Sequence, residues 1–195
     1  MTLRTIALTL LLLCAPLASQ AAELEGMRFE PSARVADVSL KLNGAGVRGR
    51  SFIKAYAIGL YLGHPGGTLD DAMAAPGAKR IEIVPLLDLP AAQFNKPLVR
   101  GLKKNLPADE FEAMQPRIQA FSNDLLALQE VRKGSRVALD WIPGRGTRIM
   151  VDGTETGTAI PGEDFYRGLL AIWIGPKPTQ DDLKTLLLGG TRSPE

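Results

Sequence analysis

The sequence predicts an α+β domain built on a large, mostly antiparallel sheet. Three observations predict it. Apolar residues alternate with polar ones in short segments in the first half and again late in the chain. Two long middle segments space their apolar residues as helices do. The strands arrive as hairpins separated by helical pairs, without the regular βαβ succession that builds a parallel sheet.

Taken in order, residues 26–31 read as an extended lead-in. Ala33 to Leu42 alternates, with Val38, Leu40 and Leu42 set between Ser39 and Lys41, and is expected to be one strand. Asn43-Gly44-Ala45-Gly46 tolerates positive φ and is expected to turn the chain. Phe52 to Leu62 is a second strand, whose Gly59 marks a bulge or a close approach. Thr68 caps a short helix over 69–75, with Asp70 and Asp71 at its positive end and Pro76-Gly77 as its stop. Arg80 to Leu86 is a third strand. Pro90 suits the first turn of a helix carrying Phe94, Leu98, Leu102 and Leu106 on one face, with Pro97 expected to kink it or delay its start. Pro107-Ala108-Asp109 opens a longer helix through Leu128, bent at Pro116. Strands over 136–142 and 147–151 flank the turn Pro143-Gly144-Arg145-Gly146, and Asp152-Gly153 is a second tight turn. A helix over 163–174 follows, then a last one capped by Thr179 with Asp182 three residues on.

The N-terminus reads as a secretory signal over residues 1–21. Arg4 is its charged start, Thr5 to Pro16 its apolar stretch, and small residues precede a cut after Ala21 or Ala22. The apolar stretch is shorter than the roughly 20 residues a bilayer span needs. Cys14 follows Leu12 and Leu13, not the small pair of a lipoprotein signal, so a soluble form is expected in the periplasm as a secreted protein. The remainder, 22–195, reads as a single domain. It holds no cysteine, hence no disulfide, thiolate nucleophile or cysteine metal site. Removing Arg4 from 23 basic residues against 21 acidic ones leaves a net charge of +1. That balance gives no electrostatic case for nucleic acid or an anionic membrane, and no stable membrane insertion is expected after cleavage.

The one histidine, His64, sits in a loop beside Pro65, and there is no Gly-x-Ser-x-Gly elbow to serve it. One histidine without cysteine argues against zinc. No dinucleotide or P-loop glycine pattern heads a βαβ unit. The acidic pairs Asp70-Asp71 and Asp181-Asp182 suit helix starts. No metal and no cofactor are therefore expected, which leaves cofactor-free chemistry or binding. The best candidates are Arg48 and Tyr56. Arginine grips carboxylates and enolate-like oxygens with a forked set of donors, and Tyr56 adds a hydroxyl to an apolar strand. Spacing alone favours a surface arginine beside a turn and a core tyrosine with its hydroxyl satisfied.

Gly44-Ala45-Gly46-Val47-Arg48-Gly49, followed by Phe52-Ile53-Lys54-Ala55-Tyr56-Ala57-Ile58-Gly59-Leu60-Tyr61-Leu62, resembles the signature segment of the chalcone isomerase family, including its bacterial secreted members. Glu155 to Ile160, ahead of a helix ending Ile172-Trp173-Ile174-Gly175, is a second echo. The resemblance implies an open-faced β-sandwich with helices packed on one face of the sheet. In the plant enzymes the arginine matched by Arg48 stabilises negative charge as a phenolate adds to an enone, without a cofactor. Tyr56 replaces a family threonine, and Thr156 stands for the threonine near the later helix. Phe94 falls where the enzymes carry a tyrosine, and Gly101 where they carry an asparagine. Non-catalytic members bind fatty acids, an arginine and a nearby tyrosine holding the carboxylate. The resemblance thus implies a small amphipathic or planar anionic ligand held by Arg48, Tyr56, Phe94 and Thr156. The alternative is a cofactor-independent isomerase, an intramolecular lyase acting on a chalcone-type substrate through Arg48, Tyr56 and Thr156.

Overall fold

Seven strands form one antiparallel sheet, in the computed structural model, which describes residues 21–50 and 52–191 (Arg50 by its backbone alone). The expected signal segment with Cys14 lies outside the described residues, except for Ala21. The strands are β1 (Ala22–Leu24), β2 (Met27–Phe29), β3 (Ser32–Val35), β4 (Val38–Arg50), β5 (Ile53–Leu62), β6 (Lys79–Pro85), β7 (Leu89–Pro90), β8 (Glu130–Val131), β9 (Val137–Ile142), β10 (Gly146–Val151) and β11 (Thr154–Ile160). The helices are α1 (Leu69–Ala74), α2 (Ala91–Asn105), α3 (Ala108–Ala127), α4 (Glu163–Ile174) and α5 (Asp181–Leu187). The large sheet runs β11-β10-β9-β6-β5-β4-β3, while β1-β2 and β7-β8 form separate two-stranded ribbons.

Alternation along the central strands sorts their side chains between two layers. Ile58, Leu60 and Leu62 of β5, Ile81 and Ile83 of β6, and Leu139 and Trp141 of β9 face the helices and form the main core with α2 to α5. Ala57 and Tyr61 of β5, Val84 and Ile142 face the other way. That second face is not bare. The β1-β2 hairpin lays Phe29, with Leu24 and Met27, over it, and Tyr61 donates to the Glu30 carbonyl at 3.1 Å. Polar groups on this face pair across strands: Arg80 grips Asp140 with two bonds of 2.6 and 2.7 Å, and Arg136 reaches Glu82.

Several expectations need correction. The single strand over 33–42 is a hairpin, β3-β4, because the chain reverses at Ala36-Asp37 with Ala36 at φ 50° and Val35 paired to Val38. Ala-Asp lacks the asparagine–glycine signature of such turns. Asn43 to Gly46 is not a turn but the interior of β4, with a register shift between Leu42 and Gly44. Its glycines answer a packing demand: a Cβ on Gly44 would stand 2.0 Å from the Leu186 carbonyl oxygen, and one on Gly46 would stand 2.6 Å from the Leu183 side chain. They are short so that α5 can lie on the strand. Gly59 does mark a close approach, since a Cβ there would stand 2.8 Å from the Phe29 ring. Pro97 neither stops nor delays α2, which runs unbroken from Ala91. Thr68 caps α1 by accepting from the Asp71 N–H at 3.0 Å. Thr179 does not cap α5; the cap position is Gln180, which makes no side-chain capping bond.

Candidate functional site

The site lies where the β4-β5 hairpin meets α2, α4 and the loop leading into α5. Arg48 and Tyr56 are directly opposed residues of β4 and β5. Opposed residues share a face of the sheet, and Tyr56 shares the helix-facing side with Ile58 and Leu60. The arginine and the phenol therefore point to the same cavity.

Each is held by groups far along the chain. The Arg48 Nε donates to Thr179 Oγ1 at 3.0 Å. Its Nη1 donates to the Gly49 carbonyl at 2.5 Å and to Gln180 Oε1 at 3.1 Å. These partners are neutral, and among the described residues no carboxylate pairs with Arg48. The Tyr56 hydroxyl accepts from the buried Trp173 indole N–H at 2.9 Å, leaving its own proton to donate. Burial pushes the Tyr56 phenol above its usual range, against the smaller opposing pulls of the Trp173 bond and the Arg48 charge. The phenol is thus neutral and a donor at ordinary pH. Phe94, from the first turn of α2, sets its ring 6.2 Å from that of Tyr56, tilted by 36°.

Behind these groups is an apolar cavity of about 80 Å³ between the sheet and the helices, with Ile83 and Leu139 on one side and Leu98, Phe121 and Ile172 on the other. In front is a broader groove of about 590 Å³ bounded by Arg48, Ile53, Leu89 and Pro97. Tyr56, Gln93, Phe94 and Thr179 line both. Among the described residues, the whole is a cleft with apolar walls and one cation, Arg48, at its mouth, suited to an amphiphile with an anionic end.

Arg48, Tyr56 and Phe94 are thus brought together. Thr156 is not among them: it lies on the edge strand β11, with β10, β9 and β6 between it and β5, and its hydroxyl donates to the Ile149 carbonyl at 3.3 Å. The threonine at the arginine is Thr179, which sequence reasoning assigned to a helix cap. In the sequence Trp173 stands out only as part of the Ile172-Trp173-Ile174-Gly175 helix end. Gly101 is a contact point between helices, where a Cβ would stand 2.9 Å from Ile172. His64 is exposed in its loop. Among the described residues no group of three or more His, Cys, Asp or Glu is arranged to hold a metal ion, and no helix is long and apolar enough to cross a membrane.

The chalcone isomerase-like family pattern matches residues 21–189, nearly the whole described chain. The chain belongs to the chalcone isomerase-like family. Its fold is also that of a fatty-acid binding protein of Arabidopsis thaliana, at a TM-score of 0.69, with 18% sequence identity, over 87% of this chain and 96% of that one. At that identity the likeness speaks for the fold, and both the α+β class and the large antiparallel sheet expected from the sequence stand. Among curated proteins, none matches the sequence.

Proposed function

We propose that this chalcone isomerase-like protein is secreted to the periplasm and binds a small, fatty-acid-like carboxylate in the cleft, anchored by Arg48. The observation that carries the reading is the opposition of Arg48 and Tyr56 at the mouth of an apolar cavity, with only neutral partners on the arginine among the described residues. A partly buried guanidinium without a carboxylate partner favours an anionic ligand, because desolvated charge is costly unless paired. The carboxylate would take the Arg48 fork and the Tyr56 proton while the chain lies against Phe94, Leu98 and Ile172. The fatty-acid binding of the Arabidopsis structural neighbour agrees with this reading. So do Phe94 and Gly101, where the enzymes carry a tyrosine and an asparagine. At Gly101 the close approach of Ile172 leaves no room for an asparagine side chain.

The test is native mass spectrometry of the protein purified from its own envelope. A carboxylate adduct is expected in wild type. Arg48→Ala is expected to weaken it by about 1.5–3 kcal/mol, or roughly 10- to 150-fold in Kd. A cleft that takes up no fatty acid at saturation would overturn the reading. The same preparation tests secretion, since its N-terminus is expected at Ala22 or Glu23.

A second reading is a cofactor-free isomerase. It is favoured by the neutral Tyr56 phenol beside the Arg48 cation, an acid and a charge together at the place where an enolate would develop. Turnover of a chalcone that disappears in Arg48→Ala would decide for it.

A further inference from the structure

Helix α2 carries four basic residues and no acidic one, in a chain whose net charge is only +2. Lys103 and Lys104 in its last turn complement the helix dipole. Arg100, a turn earlier, is not explained that way, and Arg100 with Lys104 places like charges at a spacing that repels. Both border a recess of about 260 Å³ together with Lys177 from the loop after α4 and Arg48 from β4. Four cations from three separate parts of the chain therefore converge on one hollow. Among the described residues, no acidic one lines it. Among the described residues, none of the four forms an ion pair. Gly101 opens the helix face between Arg100 and Lys104, and Thr179 contributes a hydroxyl.

The recess is continuous with the apolar groove. Arg48, Pro97 and Thr179 line both, so Arg48 stands at the junction of an apolar compartment and a basic one. A single carboxylate is satisfied by Arg48 and Tyr56 and gives Arg100, Lys104 and Lys177 nothing to bind. A phosphate monoester carries nearly two negative charges and three acceptor oxygens at neutral pH, which matches the surplus of cations. The geometry points to a phosphorylated amphiphile as the preferred ligand, its chain in the cleft and its phosphate shared between Arg48 and the recess formed by Arg100, Lys104 and Lys177. This rests on the amphiphile-binding reading above and narrows the class of its ligand.

Calorimetric titration of the full secreted protein with dodecyl phosphate, dodecanoate and inorganic phosphate at neutral pH tests it. Wild type is expected to prefer dodecyl phosphate over dodecanoate by at least about tenfold, the worth of one added charge-assisted contact. Arg100→Gln/Lys104→Gln, at exposed positions, is expected to bring that ratio close to one, and Lys177→Gln to reduce it in the same direction. Lowering the pH below about 6, where the phosphate gains a proton, is expected to shrink the ratio in wild type only. Equal affinity for the two amphiphiles in wild type, or a preference that survives the double substitution, overturns the assignment while leaving fatty-acid binding intact. Binding of neither amphiphile overturns both readings. Inorganic phosphate that binds as tightly as dodecyl phosphate would make the recess a free-phosphate site and overturn the lipid assignment.

Discussion

Tyr56 does two things at once: it fills the inner wall of the cleft and it is the acceptor for a buried indole N–H. Tyr56→Phe would keep the ring and leave Trp173 Nε1 without its partner at 2.9 Å. A buried donor stripped of its acceptor costs about 1–3 kcal/mol. The expected outcome is a lowered urea midpoint of that size with an unchanged slope, together with weaker carboxylate binding. An unchanged midpoint would mean that the indole finds water in the cleft. Arg48 and Tyr56 were legible in the sequence because both lie in one short segment whose glycines, charge and aromatic residues stand out. Their partners were not. Trp173 is 117 residues from Tyr56 and Thr179 is 131 from Arg48, and no local pattern links such positions. Thr156 is the reverse case: it lies in a legible motif, but strand order puts it at the far edge of the sheet.

The elements were legible wherever periodicity decides them, as in α4, where the expected helix over 163–174 is the observed one. They were misread where glycine serves packing instead of turning. Gly44 and Gly46 look like turn residues, yet they form the bed in β4 on which α5 rests. That contact matters to the site, since Gln180 at the head of α5 accepts from both Arg48 and the Gly49 N–H. Asn43 ties the same junction together, donating to the Leu187 carbonyl at 2.8 Å and to that of Gly66 at 3.0 Å. Gly44→Ala would drive a methyl group into the Leu186 carbonyl. Overpacking of this kind costs about 1–3 kcal/mol, and backbone on the far side cannot yield as a side chain can. The expected result is loss of amide-exchange protection in α5 before the rest of the sheet opens, with ligand affinity falling because Gln180 moves away. Uniform destabilisation with α5 still protected would place the strain elsewhere.

At the scale of the whole molecule, the chain sets its three tyrosines in two layers of one sheet. Tyr56 and Tyr166 lie on the helix side, and Tyr61 lies under the β1-β2 hairpin. Burial raises all three phenols above the free value of 10.0, with Trp173 and Arg48 opposing it at Tyr56, and Glu82 and Asp140 adding to it at Tyr61 and Tyr166. A pKa raised by folding means that above pH 10 the unfolded chain sheds protons that the native state keeps. Stability is then full below the unfolded value and is lost as the pH climbs past it. Each phenol withdraws at most about 1.4 kcal/mol per pH unit, so three together withdraw roughly 4. Lys79, buried with its ammonium on the Ala75 and Gly77 carbonyls, is shifted downward by desolvation. It acts with the opposite sign, and only below the free lysine value of 10.5. Two quantities measured together check the balance: the urea midpoint and the phenolate absorbance, followed from neutral pH upward. Phenolate is expected to appear only as the protein unfolds, in one cooperative step on the alkaline side of pH 10. Reversible phenolate formation near pH 10 in a protein that keeps its fold would show that water reaches the hydroxyls. At Tyr56 that would describe a wet cleft, in which a lone arginine carries far less of a ligand's binding energy.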